Sequence, residues 1–293
     1  MLPRTLYVRP SGLSEALEAL EEHGPGARVI AGGTDLIPSM RARTQTPSCL
    51  VDIQDLGLDT ITRTDTFVRI GAACTFSELA RSSIIRELFP VLREAALAIG
   101  AVQTRNLATI GGNLSSAVPS CDSAPALYVL KARLTLISLR QQRVIPVEEF
   151  FQGPRRTVLA PAEILAWIDI PLPPHRSGAA FLKIGRRKAL TLAIVNAAAS
   201  VCAAKDGSTV EDATISLGAV APSPLRARKA EAVLRGYMWS EELVKEAAEV
   251  ASGETSPISD IRASADYRRE LCKVLVRRAL MQAWERALGG DQR

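Results

Sequence analysis

The chain is short of the residues that most often do chemistry unaided. It has only two histidines, His23 and His175, both beside Gly/Pro-rich turns. That scarcity argues against a nucleophile triad and against a histidine-built metal site. The five cysteines, Cys49, Cys74, Cys121, Cys202 and Cys272, are scattered and include no CxxC pair. The spacing of a zinc site or a chain-borne iron–sulfur cluster is therefore missing, and an odd, dispersed set does not make a disulfide framework. Aromatic residues are 4% of the chain, and the net charge of +5 is spread along it instead of gathered into a patch. A solvated surface with some docking role fits this better than a nucleic-acid interface. No apolar run is long enough to span a membrane, and the most apolar stretch, near 193–204, is interrupted by Asn196 and Ser200. The first residues contain no signal-peptide core and carry acids as early as Glu15 and Glu18, so a cytoplasmic location is expected.

What remains is ordinary globular composition: 293 residues, 47% hydrophobic and 23% charged, with room for two or three domains. Ser11 is placed to cap a helix with Leu13, Leu17 and Leu20 on one face, ended by Gly24-Pro25-Gly26. Residues 28–31 and 49–53 are strand-like, and Asp35 can cap a short helix with Leu36, Ile37 and Met40 inward. A small β-α-β unit is therefore expected over about 1–56. From 57 to 175 the pattern predicts strands at 67–73, 134–139 and 164–170, with helices at 77–81, 88–99 and from Asp122 to about Leu130. Pro171-Leu172-Pro173-Pro174 is the clearest linker. Beyond it, strands are expected at 180–185, 193–204 and 215–220, and helices at 226–234, 241–251 and 263–288. Leu271, Val274, Met281, Trp284 and Leu288 recur at helical spacing in the last helix, which predicts a core stripe.

Two glycine loops stand out, Ala31-Gly32-Gly33-Thr34-Asp35-Leu36 and Thr109-Ile110-Gly111-Gly112-Asn113-Leu114. Each follows an apolar stretch. Successive N–H groups in such a turn can converge on an anion, and two similar loops suggest a dinucleotide diphosphate held from both sides. Two tight structural turns would look the same. Gly24-x-Gly26 precedes its strand and lacks a third glycine, so it is no Rossmann fingerprint, and no GxxxxGK[ST] occurs. Neither loop contains lysine or arginine. Backbone N–H groups, Thr34, Thr109 and Asn113 would have to hold the anion, which suits a resident cofactor better than a transferred phosphate.

The two loops, with Pro119-Ser120-Cys121-Asp122-Ser123-Ala124-Pro125 after the second, resemble the paired FAD-binding signatures of the flavoprotein subunits of molybdenum hydroxylases. The resemblance continues through Phe181-Leu182-Lys183-Ile184-Gly185-Arg186-Arg187, Leu192-Ala193, Val195-Asn196 and Gly218-Ala219-Val220-Ala221-Pro222. It implies an α+β fold: a two-part FAD-binding domain of the vanillyl-alcohol-oxidase (PCMH) type over 1–175, then a small antiparallel-sheet-and-helix domain over 178–288. It implies FAD in this chain, with Ala31, Gly32, Gly33, Thr34, Asp35, Leu36, Thr109, Gly111, Gly112 and Asn113 around the diphosphate. It also implies Asp122 at the ribityl or ribose hydroxyls, although a plain helix cap is the alternative. Lys183 would lie near the flavin ring, where a cation favours negative charge on the reduced ring, or would be a solvated strand lysine. Leu192 would lie against the ring face, although Thr191 stands where many members have an acid. Arg186 and Arg187 would face a partner or NAD⁺, or simply solvent. The implied partners are a large molybdopterin subunit and a small subunit with two [2Fe–2S] clusters, with NAD⁺ as a possible acceptor. No acid–base catalytic residue and no metal ligand is assigned to this chain. A self-contained flavin oxidase and a flavin-free assembly module remain the alternatives.

Overall fold

The computed structural model describes residues 4–187 and 189–289. Its first part is a parallel three-stranded sheet of β1 (Leu6–Val8), β2 (Ala27–Ile30) and β3 (Cys49–Asp52) in the order β1-β3-β2. Helix α1 (Leu13–His23) buries Ala16, Leu17, Ala19 and Leu20 against it. Ser11 is not its cap: the N-cap is Gly12, and Ser11 donates its N–H and hydroxyl to Glu15. The first glycine loop joins β2 to α2 (Leu36–Arg41), of which only Met40 is buried. Asp35 holds the N-cap position of α2, but its side chain makes no capping bond.

The middle part is an antiparallel sheet of β4 (Ile61–Arg63), β5 (Phe67–Gly71), β6 (Arg133–Ile137), β7 (Gln142–Pro146) and β10 (Ile164–Pro171), in the order β4-β5-β10-β6-β7. A two-stranded hairpin, β8 (Phe151–Gly153) with β9 (Arg156–Thr157), projects from it. Between β5 and β6 run α3 (Phe76–Arg81), α4 (Ser83–Leu88), α5 (Pro90–Ala98), α6 (Val102–Arg105), α7 (Ile110–Ser115) and α8 (Ser123–Val129). Thr75 and Glu78 form a reciprocal capping box at α3. The helix predicted over 88–99 starts at Pro90 instead, because proline favours the first helical position; Leu88 ends α4.

After the proline segment, β11 (Ser177–Gly185), β12 (Ala193–Ala203), β13 (Val210–Gly218) and β14 (Leu225–Arg226) form an antiparallel sheet in chain order. Helices α9 (Arg228–Leu234), α10 (Glu241–Gly253) and α11 (Ala265–Gly289) pack on it. The predicted stripe of α11 is only partly core: Leu271 and Trp284 are buried, while Val274 is 40% and Leu288 41% exposed. The buried face runs instead through Cys272, Leu275, Val276, Ala279, Leu280, Ala283 and Ala287, where alanines let the helix sit close to its neighbours. The two larger parts share a core, since Phe181 and Ala198 belong to the cluster built around Phe76, Leu92 and Leu127. Among the described residues, no helix is long and apolar enough to cross a membrane.

Candidate functional site

The two glycine loops meet. A Cβ on Gly32 would lie 1.7 Å from the Leu107 carbonyl oxygen, so the first loop rests directly on the backbone that leads into the second. A Cβ on Gly111 would lie 2.5 Å from that of Ala72, so the second loop is seated as tightly on the end of β5. These glycines are required by chain packing, whereas Gly33 is required by conformation, with φ +66°. The Ser116 hydroxyl donates to the Asp35 carboxylate at 2.8 Å and ties the loops together from the other end. Gln54 fixes the Ala31 carbonyl at 2.7 Å, and its own N–H is held by Asp52, which also accepts from Tyr7.

The loops differ in what they offer a ligand. The N–H groups of Ile110, Gly111, Gly112 and Asn113 are all used, by Cys74 O, Ala72 O, Thr109 Oγ1 and Thr109 O. A diphosphate held by backbone on both sides is therefore not what the second loop is built for. It presents side chains instead. The Asn113 amide oxygen accepts from Cys121 at 2.9 Å and Ser123 at 2.7 Å, which orients its NH₂ group away from them. In the first loop, the N–H groups of Gly32, Gly33, Thr34 and Asp35 have no partner among the described residues. Four successive free donors around a left-handed glycine make a nest for an anion.

A cavity of about 630 Å³ is lined by both loops, including Ala31 to Leu36, Thr109, Gly111, Gly112 and Asn113. That volume suits a small-molecule or cofactor site. Its far wall comes from the β8–β9 turn and the start of β10, with Arg155, Thr157 and Glu163, none of which the sequence singled out. Glu163 is held by both oxygens to Arg143, and this pair keeps its carboxyl below the usual range. A larger cavity of about 1070 Å³ beside the proline segment is lined by neither loop.

Asp122, Lys183 and Leu192 do not line the cavity between the loops. Asp122 sits at the N-cap of α8 without capping it. It pairs with Lys183 at 2.5 Å and accepts from Asn196 at 2.7 Å, both reaching over from the C-terminal sheet. Lys183 is no solvated strand lysine: its side chain is 7% exposed, and it also donates to the Ala98 carbonyl. Burial pushes the Asp122 carboxyl above its ordinary range, against the opposing pull of Lys183 and Asn196. Lys183, Asn196 and Gly218 are cross-strand neighbours on β11, β12 and β13. Gly218 leaves room for Asn196, whose buried amide oxygen would be 2.2 Å from a Cβ there and has no partner. Leu192 is half-exposed, as are Leu190, Val102 and Leu107, and the Leu190 N–H is bonded to the Gly100 carbonyl. Arg186 and Arg187 are exposed. Four of the five thiols are buried, and burial raises that of Cys121 to about 11.

An open N–H nest and a second glycine loop line one cavity of a size that suits a cofactor. The chain belongs to the FAD-binding subunits of the molybdenum hydroxylases. A family model described as the FAD binding domain in molybdopterin dehydrogenase matches residues 3–173, and the CO dehydrogenase flavoprotein C-terminal domain matches 180–283. The chain is 35% identical to the carbon monoxide dehydrogenase medium chain of Afipia carboxidovorans, over 98% of this chain and 99% of that one. It is 31% identical to the xanthine dehydrogenase FAD-binding subunit of Escherichia coli O157:H7, over 94% and 95%. Among solved structures, a carbon monoxide dehydrogenase from Hydrogenophaga pseudoflava superposes with a TM-score of 0.94 at 34% identity, covering 98% of this chain and 99% of that one. The chain is thus an oxidoreductase subunit of the α+β class the sequence implied.

Proposed function

We propose that this chain carries FAD between its two glycine loops. In this reading it takes electrons from the [2Fe–2S] clusters of a small partner subunit. It passes them to an acceptor such as NAD⁺, while substrate is oxidised on a large molybdopterin subunit. The observation that carries the reading is the set of four unpartnered N–H groups on the cavity wall. Gly32, Gly33, Thr34 and Asp35 would hold the diphosphate by backbone, and Thr109 and Asn113 by side chain. Asp122 would meet the ribityl or ribose hydroxyls, Lys183 would set the charge near the ring through Asp122, and half-exposed Leu192 would cover a ring face. FAD supplies two-electron storage with one-electron steps; the protein supplies binding, orientation and electrostatics. We also place the divide between the FAD-binding and C-terminal domains at the proline segment, and the complex in the cytoplasm.

Gly112→Glu tests the site. Gly112 is exposed, and a Cβ there meets only the Thr109 hydroxyl, at 2.9 Å. A glutamate three residues after the Thr109 N-cap matches a capping box, but its Cβ must push that hydroxyl aside, so thermal stability should fall by about 1 kcal/mol. A negative charge beside a diphosphate costs several kcal/mol at short range, so FAD affinity should fall on the order of a hundredfold or more. Flavin content by absorbance and apparent Kd by fluorescence quenching measure the outcome. A folded variant as yellow as the parent refutes the placement.

A further inference from the structure

The cavity has a charge problem that the glycine loops do not solve. Among the described residues, the Asp35 carboxylate stands beside the N–H nest with only the Ser116 hydroxyl as partner, so a diphosphate seated there meets a carboxylate. Two cations line the same cavity, Arg28 and Arg155. Arg28 keeps its charge but is turned toward its own turn, one nitrogen donating to both the Pro25 and Ala27 carbonyls. Arg155 makes no side-chain hydrogen bond or ion pair among the described residues. It is also held where an arginine is unfavourable: its φ is +57° at the turn between β8 and β9. Its N–H donates to the Ala117 carbonyl at 2.8 Å, and Ala117 is itself left-handed, with φ +45°. A non-glycine residue in that region costs about 1–2 kcal/mol, and such outliers persist where surrounding structure enforces them. Here the enforcing contact is Ala117, just past α7, so the turn is fastened to the far end of the helix that the second glycine loop begins.

We propose that Arg155 is the counter-charge of the cofactor diphosphate and selects FAD over flavins that lack it. The proposal rests on the FAD reading of this cavity. The N–H nest provides partial charges, and Arg155 provides a full one whose guanidinium fork matches phosphate oxygens. The assignment explains how a site whose two loops contain no lysine or arginine can accept two phosphates next to a carboxylate. Arg156, the next residue, does not line the cavity and has no part in it.

The full-length chain, stripped of flavin, would be titrated with FAD and with riboflavin across a range of salt concentrations. Arg155→Asn is the principal variant because asparagine accepts the left-handed region; Arg155→Lys and Arg156→Asn accompany it. The parent is expected to bind FAD far more tightly than riboflavin, with affinity falling as salt rises. Arg155→Asn should lose tenfold or more in FAD affinity, flatten the salt dependence and leave riboflavin binding unchanged. Arg155→Lys should recover part of the loss, and Arg156→Asn should match the parent. Parent-like FAD affinity and salt slope in a folded Arg155→Asn overturn the proposal alone. A parent chain that binds neither flavin overturns the FAD reading beneath it.

Discussion

Lys183 carries its ammonium to a place with almost no water and is held there by the Asp122 carboxylate and the Ala98 carbonyl. Removing one partner of a buried pair leaves the other uncompensated and costs about 3–5 kcal/mol. Lys183→Met should therefore destabilise the chain by roughly that much at pH 7. The folded pKa of Asp122 is already raised by burial, so its protonated form is the one folding favours. Its favourable contribution is full below the unfolded value of about 4 and is lost as pH rises through the folded value. Without Lys183 that folded value climbs further, so the defect of Lys183→Met should grow from pH 5 to pH 8. Denaturant midpoints measured across that range, with Asp122→Asn/Lys183→Met recovering much of the loss, check the sign. A defect independent of pH contradicts the coupling. The sequence pattern offered Asp122 as a helix start, and only the resemblance singled out Lys183. Their mutual contact was not legible, because it joins residues 61 apart through sheet packing that no local pattern encodes.

At the scale of elements, the glycine loops are as much packing devices as binding devices. Gly32→Ala sets a methyl group against the Leu107 carbonyl, whereas Gly12→Ala meets nothing within 4 Å. Overpacking of this kind costs about 1–3 kcal/mol. Gly32→Ala should lower the thermal midpoint and the flavin content together, and Gly12→Ala should leave both near the parent values. Melting curves and flavin-to-protein absorbance ratios decide it. The long alternations of the C-terminal sheet were readable, since residues 193–204 carry few turn signals and many small apolar side chains. The β8–β9 hairpin was not readable: its strands are two and three residues long and have no periodicity to detect. The nest of the first loop and the filled N–H groups of the second could not be told apart either. Both loops read as paired glycines followed by polar residues, and the acceptors that make them different, the carbonyls of Ala72 and Cys74 and the cap supplied by Thr109, appear only in the fold.

For the whole molecule, the proposed reading divides the chemistry among polypeptides. Expressed with a molybdopterin subunit and a two-cluster iron–sulfur subunit, the chain should copurify with both, which metal analysis of the isolated complex would show. Purified alone it should be yellow yet unable to turn over the complex's organic substrate, because in the proposed reading that substrate is oxidised on the molybdopterin subunit. Turnover by the isolated chain contradicts this division of labour. Overall class was legible because the two loops and the residues after them are local signals that carry the resemblance. What joins the parts was not: the ion pairs Arg226–Glu148 and Arg286–Glu94 connect distant residues whose charges look merely solvated in one dimension.

One of those long-range ties bears on how the protein is made. Asp122 receives Lys183 and Asn196 from strands synthesised 61 and 74 residues after it. A nascent polypeptide still missing those strands presents an acid without a counterion just beyond the second loop. The pairing of that acid therefore waits until about two thirds of the 293 residues have been made, whereas every residue lining the cavity between the loops comes earlier. Fragments that stop before those strands would carry the cavity wall with a buried acid left unpaired.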